Sequence, residues 1–330
     1  MSKLKKFFAV AMLLVLSSIL LTGCSDKEVP AEKTKADIRE HYLHMATGNT
    51  MGTYYIIGGS ISEILNEKIP DMHCAIQTTS GSIANVKLLA SGDVELAIIQ
   101  NDIAHYASHG TEMFKDENKY KFDTLRGLTA LYPESCQFVV NAESGINSIA
   151  DLKGKKVAVG AEGSGAEANA RQILAAYGLS YADIEPAYMS FSAGSKALKE
   201  GSVDAAFLTA GAPTLAVQDM TTQLKIKILP IDDQHVKALV EKFPFYEKIV
   251  IPKGTYNGFD EDVETVSVMA ILACNDKIDS DLGNKLTKTI FDNLDAIKAA
   301  HPAISGLTKA KAKEDMTLPF NEGAEKFLKD

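Results

Sequence analysis

Arginine is nearly absent from this chain of 330 residues, which has only Arg39, Arg126 and Arg171. Any anion it recognises must be held largely without guanidinium forks. Positive charge as a whole is short, with 34 Lys and Arg against 43 Asp and Glu and a formal charge of -9, and Lys3, Lys5 and Lys6 crowd the very N-terminus. Nothing supplies the basic patch that nucleic-acid phosphates require, so that class of partner is disfavoured. Cysteine is scarce as well. Of four, Cys74, Cys136 and Cys274 each lie in an apolar, strand-like run. Their odd number and wide spacing argue against a disulfide framework or a zinc site, and buried thiols are expected, with Cys136 and Cys274 the one pair to check for a bridge. Long hydrophobic runs are missing too: Phe7 to Leu21 is too short for a typical membrane span.

What is present reads as globular. The chain is 46% apolar and 23% charged with mean hydropathy -0.03, and at roughly 150 residues per domain it has the length of two domains. The lysine-rich start, the apolar run and the closing Leu21-Thr22-Gly23-Cys24 read as an export signal over 1–23. The closing tetrapeptide resembles the bacterial lipoprotein box, which makes Cys24 the lipidated first residue of the mature chain; an ordinary secretory signal or an uncleaved anchor is the alternative. Residues 24–40, rich in Asp, Lys, Glu and Ala, read as a flexible tether, because they carry too little apolar surface to order themselves.

One pattern then occurs twice. Tyr42–Ala46 reads as a strand running into Thr47-Gly48-Asn49-Thr50-Met51-Gly52, and a helix follows with Tyr54, Ile57, Ile61, Ile64 and Leu65 on one face. Met72, Cys74 and Ile76 alternate as in a strand, Thr78 to Ser82 forms a polar loop, a helix runs to Gly92, and Asp93–Gln100 reads as a third strand. The second copy has a strand at Lys156–Val159, the loop Gly160-Ala161-Glu162-Gly163-Ser164-Gly165, a helix to Gly178, a strand at Ala187–Met189, the loop Ser190–Ser195 and a strand at Ser202–Leu208. Two units of this order predict two open, mostly parallel sheets with helices on both faces. In such sheets the ligand lies beyond the carboxyl ends of the strands, where these glycine and serine loops sit.

The loops favour anions. Helices starting near Ser82 and Ser164 present free backbone N–H groups and a positive dipole end, and glycine lets a ligand approach. Ser80, Ser82 and Ser164 can donate hydroxyl hydrogen bonds, with plain N-capping the alternative. Of Tyr54 and Tyr55, one is expected in the core and one at the cleft.

Catalytic patterns are lacking. The loop at 160–165 has neither the dinucleotide glycine order nor the lysine of a nucleotide P-loop, and no nucleophile elbow surrounds Ser164. His105 and His109 have helical spacing, but no Glu follows His105, and a solvated pair is expected rather than zinc ligands; His41 and His44 read the same way. Glu162, His105 and Cys136 are the weak candidates an enzyme would have to use, and neither catalytic residues nor a cofactor is assigned.

Residues 47–55, 79–85, 151–157, 160–165 and 201–207, with Gly211-Ala212-Pro213 and Gly254-Thr255-Tyr256, resemble the TAXI-type solute receptors of TRAP transporters over the chain from about Tyr42. Asn49 and Met51 stand where glycines are usual in that family, and Glu162 stands where proline is common. The resemblance implies a two-domain fold of the type II periplasmic-binding-protein kind that closes on a small carboxylate, of the glutamate or C4/C5 dicarboxylate class, and hands it to an ion-gradient-driven TRAP permease of large and small subunits. Long apolar runs at Leu128–Asn141 and Thr265–Asn275 are assigned as the two hinge strands. They divide the chain into a first domain of 41–133 with 268–330 and a second of 134–267. Expected at the ligand are Thr50, Gly52, Thr53, Tyr54, Ser80, Gly81, Ser82, Asn85, Gln100, Asp102 and Tyr132 from the first, and Glu162, Gly163, Ser164, Gly165, Thr209, Gly211 and Pro213 on the other side. Alternatives are a binding subunit of an ATP-driven importer or of a membrane sensor, or an enzyme on the same fold.

Overall fold

The computed structural model describes residues 41–120 and 122–329. The signal segment, the lipidation expected at Cys24 and the tether lie outside the described residues. Among the described residues no helix is long and apolar enough to cross a membrane.

The first unit contains β1 (His41–Ala46), α1 (Thr53–Lys68), β2 (Met72–Gln77), α2 (Ser82–Ser91), β3 (Leu96–Gln100) and α3 (Asn101–His109). Strand β1 pairs in parallel with both β2 and β3. The second unit repeats this with β5 (Lys156–Gly160), α4 (Gly165–Ala176), β6 (Glu185–Tyr188), α5 (Phe191–Lys199) and β7 (Ala205–Ala210), and β5 pairs in parallel with β6 and β7. The α/β fold expected from the sequence is the one observed. Two strand starts fall later than expected, while β6 begins earlier, at Glu185 rather than Ala187. Asp93 and Val94 bond back to the Leu88 carbonyl to close α2, so β3 begins only at Leu96, and β7 begins after Asp204, whose carboxylate accepts the Lys156 amide at 2.8 Å.

Two long strands join the units into one sheet. β4 (Arg126–Asn141) and β10 (Val263–Cys274) run antiparallel to each other. β10 also pairs with β3, and β4 with β7, giving the order β2-β1-β3-β10-β4-β7-β5-β6. Short strands β8 (Ile226–Leu229) and β9 (Glu247–Ile251) add to β4 and β10. Pro133 sits in β4 just past a register shift and is exposed, where its missing N–H costs the ladder least.

Helical spacing buries the face of α1 that was expected to be buried: Tyr54, Ile57, Ile61, Ile64 and Leu65 pack with Leu286 and Ile290 of α6 (Ser280–Asp292) and Ile297 of α7 (Leu294–Ala300). Each such aliphatic side chain contributes about 1.5–3 kcal/mol on burial. Another cluster holds Ile99 and Ile103 beside Val159, Ala166 and Ile173, so the two units share a core where they meet. Cys74, Cys136 and Cys274 are free and buried, and burial pushes the thiols of Cys74 and Cys274 up to about 11 and about 12.

Candidate functional site

A cavity of about 60 Å³ lies where the strand ends of the two units face each other. Its wall is made by the starts of helices: Gly52 and Thr53 at α1, Gly81 and Ser82 at α2, Gln100 before α3, Ser164 and Gly165 at α4, and Ser190 and Phe191 at α5. Five positive helix ends therefore converge on one small space, and each carries first-turn amides with no partner inside its own helix. No lysine or arginine lines it.

Sharp turns aim these ends. The Asn49 side chain takes the Met51 amide at 3.0 Å, and Thr79 takes the Gly81 amide at 3.0 Å. Gly81 has φ +128°, a conformation that a side chain rarely permits, and a Cβ there would stand 3.3 Å from the Ser164 Cβ. That second constraint comes from the opposite unit. Other contacts across the cavity are equally direct: the Ala84 amide donates to the Gly163 carbonyl (3.1 Å), Asn49 Nδ2 to Ser192 Oγ (3.3 Å) and Thr53 Oγ1 to the Gly211 carbonyl (3.0 Å). These bonds link the two units directly across the cavity.

Of the residues expected at the ligand, Gly52, Thr53, Tyr54, Ser80, Gly81, Ser82, Gln100, Ser164, Gly165 and Thr209 line the cavity. Tyr54 rather than Tyr55 is the tyrosine that reaches it. The others stand elsewhere. Thr50 and Glu162 are exposed and off the wall, because the turns that carry them point outward. Asn85 lies behind the wall as a strut, donating to the carbonyls of Thr47 (2.6 Å) and Ile98 (2.8 Å). Gly163 and Gly211 act through their carbonyls in the cross-cavity bonds just given, while Pro213 lies beside His301, whose Nε2 is 3.0 Å from the Pro213 carbonyl. Tyr132 is buried with its ring against Gly211. Asp102 is buried behind Gln100.

The hydroxyl of Ser164 is already engaged. It donates to the Ala161 carbonyl at 2.7 Å and accepts from the Glu167 amide at 3.1 Å, so its side chain caps α4. Ser82 accepts the Gln100 amide (3.1 Å) and donates to Gln100 Oε1 (3.2 Å). Gln100 Nε2 in turn reaches Asn169 Oδ1 at 2.5 Å, which also accepts from Thr209 at 3.0 Å, and Asn169 Nδ2 donates to Asp102 Oδ2 at 2.9 Å. This chain of buried polar groups ties the two units together beneath the cavity. Burial pushes the Asp102 carboxyl up to about 6 despite the Asn169 bond, and its Oδ1 has no partner.

Sequence reasoning missed Glu134. It lies in β4, is 2% exposed, lines the cavity, and accepts the Tyr54 hydroxyl on Oε2 at 2.7 Å. Burial holds its carboxyl well above the usual carboxylate range; the Tyr54 bond opposes this and nearby Asp102 adds to it. A lone acid inside the apolar run 128–140 was the signal available. Phe191, Gly48 and Ala210 also line the cavity and were unassigned. His105 and His109 stack at 3.9 Å, and among the described residues no cluster of three metal-ligating side chains occurs.

Residues 45–330 match the model of the NMT1-like family. Among solved structures, a protein of Bordetella bronchiseptica is 18% identical, covering 87% of this chain and 82% of its own, with a TM-score of 0.52. The periplasmic aliphatic sulphonate binding protein SsuA from Escherichia coli is 15% identical, covering 88% of this chain and 78% of its own, at 0.46. PhnD1 from Prochlorococcus marinus, solved in complex with methylphosphonate, is 14% identical, covering 79% and 84%, at 0.49. At 18% identity the likeness to the Bordetella bronchiseptica protein is one of α/β fold alone.

Proposed function

The chain belongs to the NMT1-like family, and we propose that it is an extracytoplasmic solute-binding receptor that closes on a small carboxylate and delivers it to a membrane transporter. The observation that carries this reading is the cavity itself: five helix starts converge on a space without a basic side chain. Backbone amides and helix dipoles then supply the positive potential that lysine or arginine would otherwise provide. The two lobes are 41–133 with 268–330 and 134–267, and β4 and β10 are the strands that bend between them. In the open state the solute meets the amides at α1 and α2. Contacts such as Ala84 to Gly163 and Asn49 to Ser192 form as the second lobe arrives, so a ligand that also touches α4 or α5 favours the closed population.

Anchoring through a lipid on Cys24 and delivery to a TRAP permease, as in the TAXI-type receptors, complete the proposal. Labelling with a radioactive fatty acid is expected in the full chain and lost in Cys24→Ala. Co-purification with a multi-span permease and no ATPase supports the TRAP partnership, whereas an ATPase in the complex makes the chain the binding subunit of an ATP-driven importer. For the receptor reading itself, the purified protein is screened by thermal shift against amino acids, dicarboxylates and keto acids, since a ligand that binds only the folded form raises the melting temperature. A rise confined to cationic or uncharged compounds overturns the carboxylate site.

A further inference from the structure

We propose that Glu134 meets the ligand's carboxylate as an undissociated acid and donates a hydrogen bond to it, so that the receptor takes up one proton from solvent together with its ligand; the proposal rests on the carboxylate reading above. The placement of the two oxygens of Glu134 leads to it.

Glu134 is 2% exposed and lines the cavity. Its Oε2 accepts the Tyr54 hydroxyl at 2.7 Å, and that hydroxyl stands 3.3 Å from Ser82 Oγ at the start of α2. A carboxylate seated on the α2 amides is therefore a near neighbour of Glu134. Oε1 has no hydrogen-bond partner among the described residues, yet it is not one of the buried atoms left orphaned there, which are Asp102 Oδ1 and Tyr132 Oη. In a side chain so little exposed, the open side of Oε1 is the cavity.

The surroundings decide which form of the acid is present. No lysine or arginine lines the cavity. The titratable groups that face Glu134 are Tyr54 of α1, Asp102 of α3, and Tyr132 and Cys136 of β4 itself, while β10 places Val268 opposite it. None of them can become a cation, so an ionised Glu134 has no counter-charge, and burial holds its carboxyl well above the usual carboxylate range. A protonated carboxyl keeps one oxygen as an acceptor, here for Tyr54, and turns the other into an O–H donor. From Oε1 that donor faces the cavity, where the ligand's carboxylate supplies the acceptor for a strong O–H···O⁻ bond.

On the two-lobe reading, opening returns water to Glu134 and weakens its hold on the proton, whereas a bound carboxylate strengthens it. Proton and ligand therefore bind cooperatively. Affinity falls by up to about tenfold per pH unit once the pH passes the point at which the open form titrates.

Calorimetry on the purified protein tests this between pH 7 and 8.5 with pyruvate, malate, 2-oxoglutarate and glutamate, whose carboxylates stay ionised throughout. Asp102, at about 6, is already ionised in that window, and burial pushes Tyr54, Tyr132 and Cys136 up so that they keep their protons. For each compound that binds, affinity is expected to fall at least about tenfold across the window, with the heats in phosphate and Tris buffers giving an uptake of more than about half a proton per ligand. In Glu134→Gln the amide still donates, more weakly, so affinity at pH 7 falls about threefold to tenfold, the proton uptake disappears and the fall with pH flattens. Level wild-type affinity across the window overturns the inference and leaves the carboxylate receptor intact, as does a folded Glu134→Gln protein that keeps the wild-type fall. If that variant does not fold, the wild-type profile and proton uptake decide. If none of the four compounds binds at any pH, the carboxylate reading fails and the inference falls with it.

Discussion

The helix ends that face each other across the cavity are finished in two different ways. In the first unit α1 and α2 start after Gly52 and Gly81, and neither residue provides a side-chain cap. In the second, α4 and α5 start after Ser164 and Ser190, whose hydroxyls take the amides of Glu167 (3.1 Å) and Ala193 (3.3 Å). A serine cap satisfies one of the donors left over at a helix start, whereas a glycine satisfies none with a side chain; in α2 the Ala84 amide is taken instead by the Gly163 carbonyl of the other unit. The same repeated unit thus starts its helices without side-chain caps on one side and with serine caps on the other. On the function proposed above, the first unit holds the ligand and the second closes over it.

That contrast can be broken most severely at Gly81. An alanine there must adopt φ +128° and push against Ser164, harming both the cradle and closure; roughly thousandfold weaker binding, about 4 kcal/mol, is the expected result in calorimetry. Asp102→Asn tests the polar chain that joins the two units. The Asp102 carboxyl titrates at about 6 when folded and near 3.8 otherwise, so the folded state binds the proton more tightly. Its contribution to stability is therefore fully present below about pH 4 and is lost as pH rises through about 6. At pH 7.5 the asparagine variant should be more stable by as much as about 3 kcal/mol, and in thermal melts its dependence on pH between 4 and 6 should flatten.

Smaller changes sharpen the comparison. Gly52→Ser gives α1 the finish that α4 has; with φ −101° and ψ 160° the backbone already suits a cap, and a Cβ meets Asn49 and Phe191 at 3.2–3.4 Å. Affinity is expected to fall about tenfold with the melting temperature nearly unchanged. Ser164→Ala does the reverse, lowering stability by about 1 kcal/mol through loss of the cap and altering affinity less than about threefold. A large loss of affinity in that variant, with stability unchanged, would return Ser164 to the ligand site and sink the contrast.

Much of this architecture was legible in the sequence. Helical spacing from Tyr54 to Leu65 and alternation at Met72, Cys74 and Ile76 place the elements, and the glycine loops mark the ends that meet at the cavity. Two strand starts were read early, at Asp93 and Ser202, because side-chain and backbone bonds at the preceding turns took the first residues. Thr50 and Glu162 share loops with cavity residues yet face outward, since a loop's composition does not say which of its members points inward. Glu134 shows the opposite case: a buried polar residue on a strand, placed at the cavity by pairing between β4 and both β10 and β7.

The sequence by itself determined the repeated α/β units, the scarcity of arginine and the glycines that open the helix starts, because periodicity and backbone freedom are local properties. Only the tertiary structure decided how small the cavity is, which serine hydroxyls are already engaged, and that a buried acid shares the wall. Those depend on residues from 48 to 210 brought to one point by the strand order, and the closing of one unit on the other has no signature in any single segment.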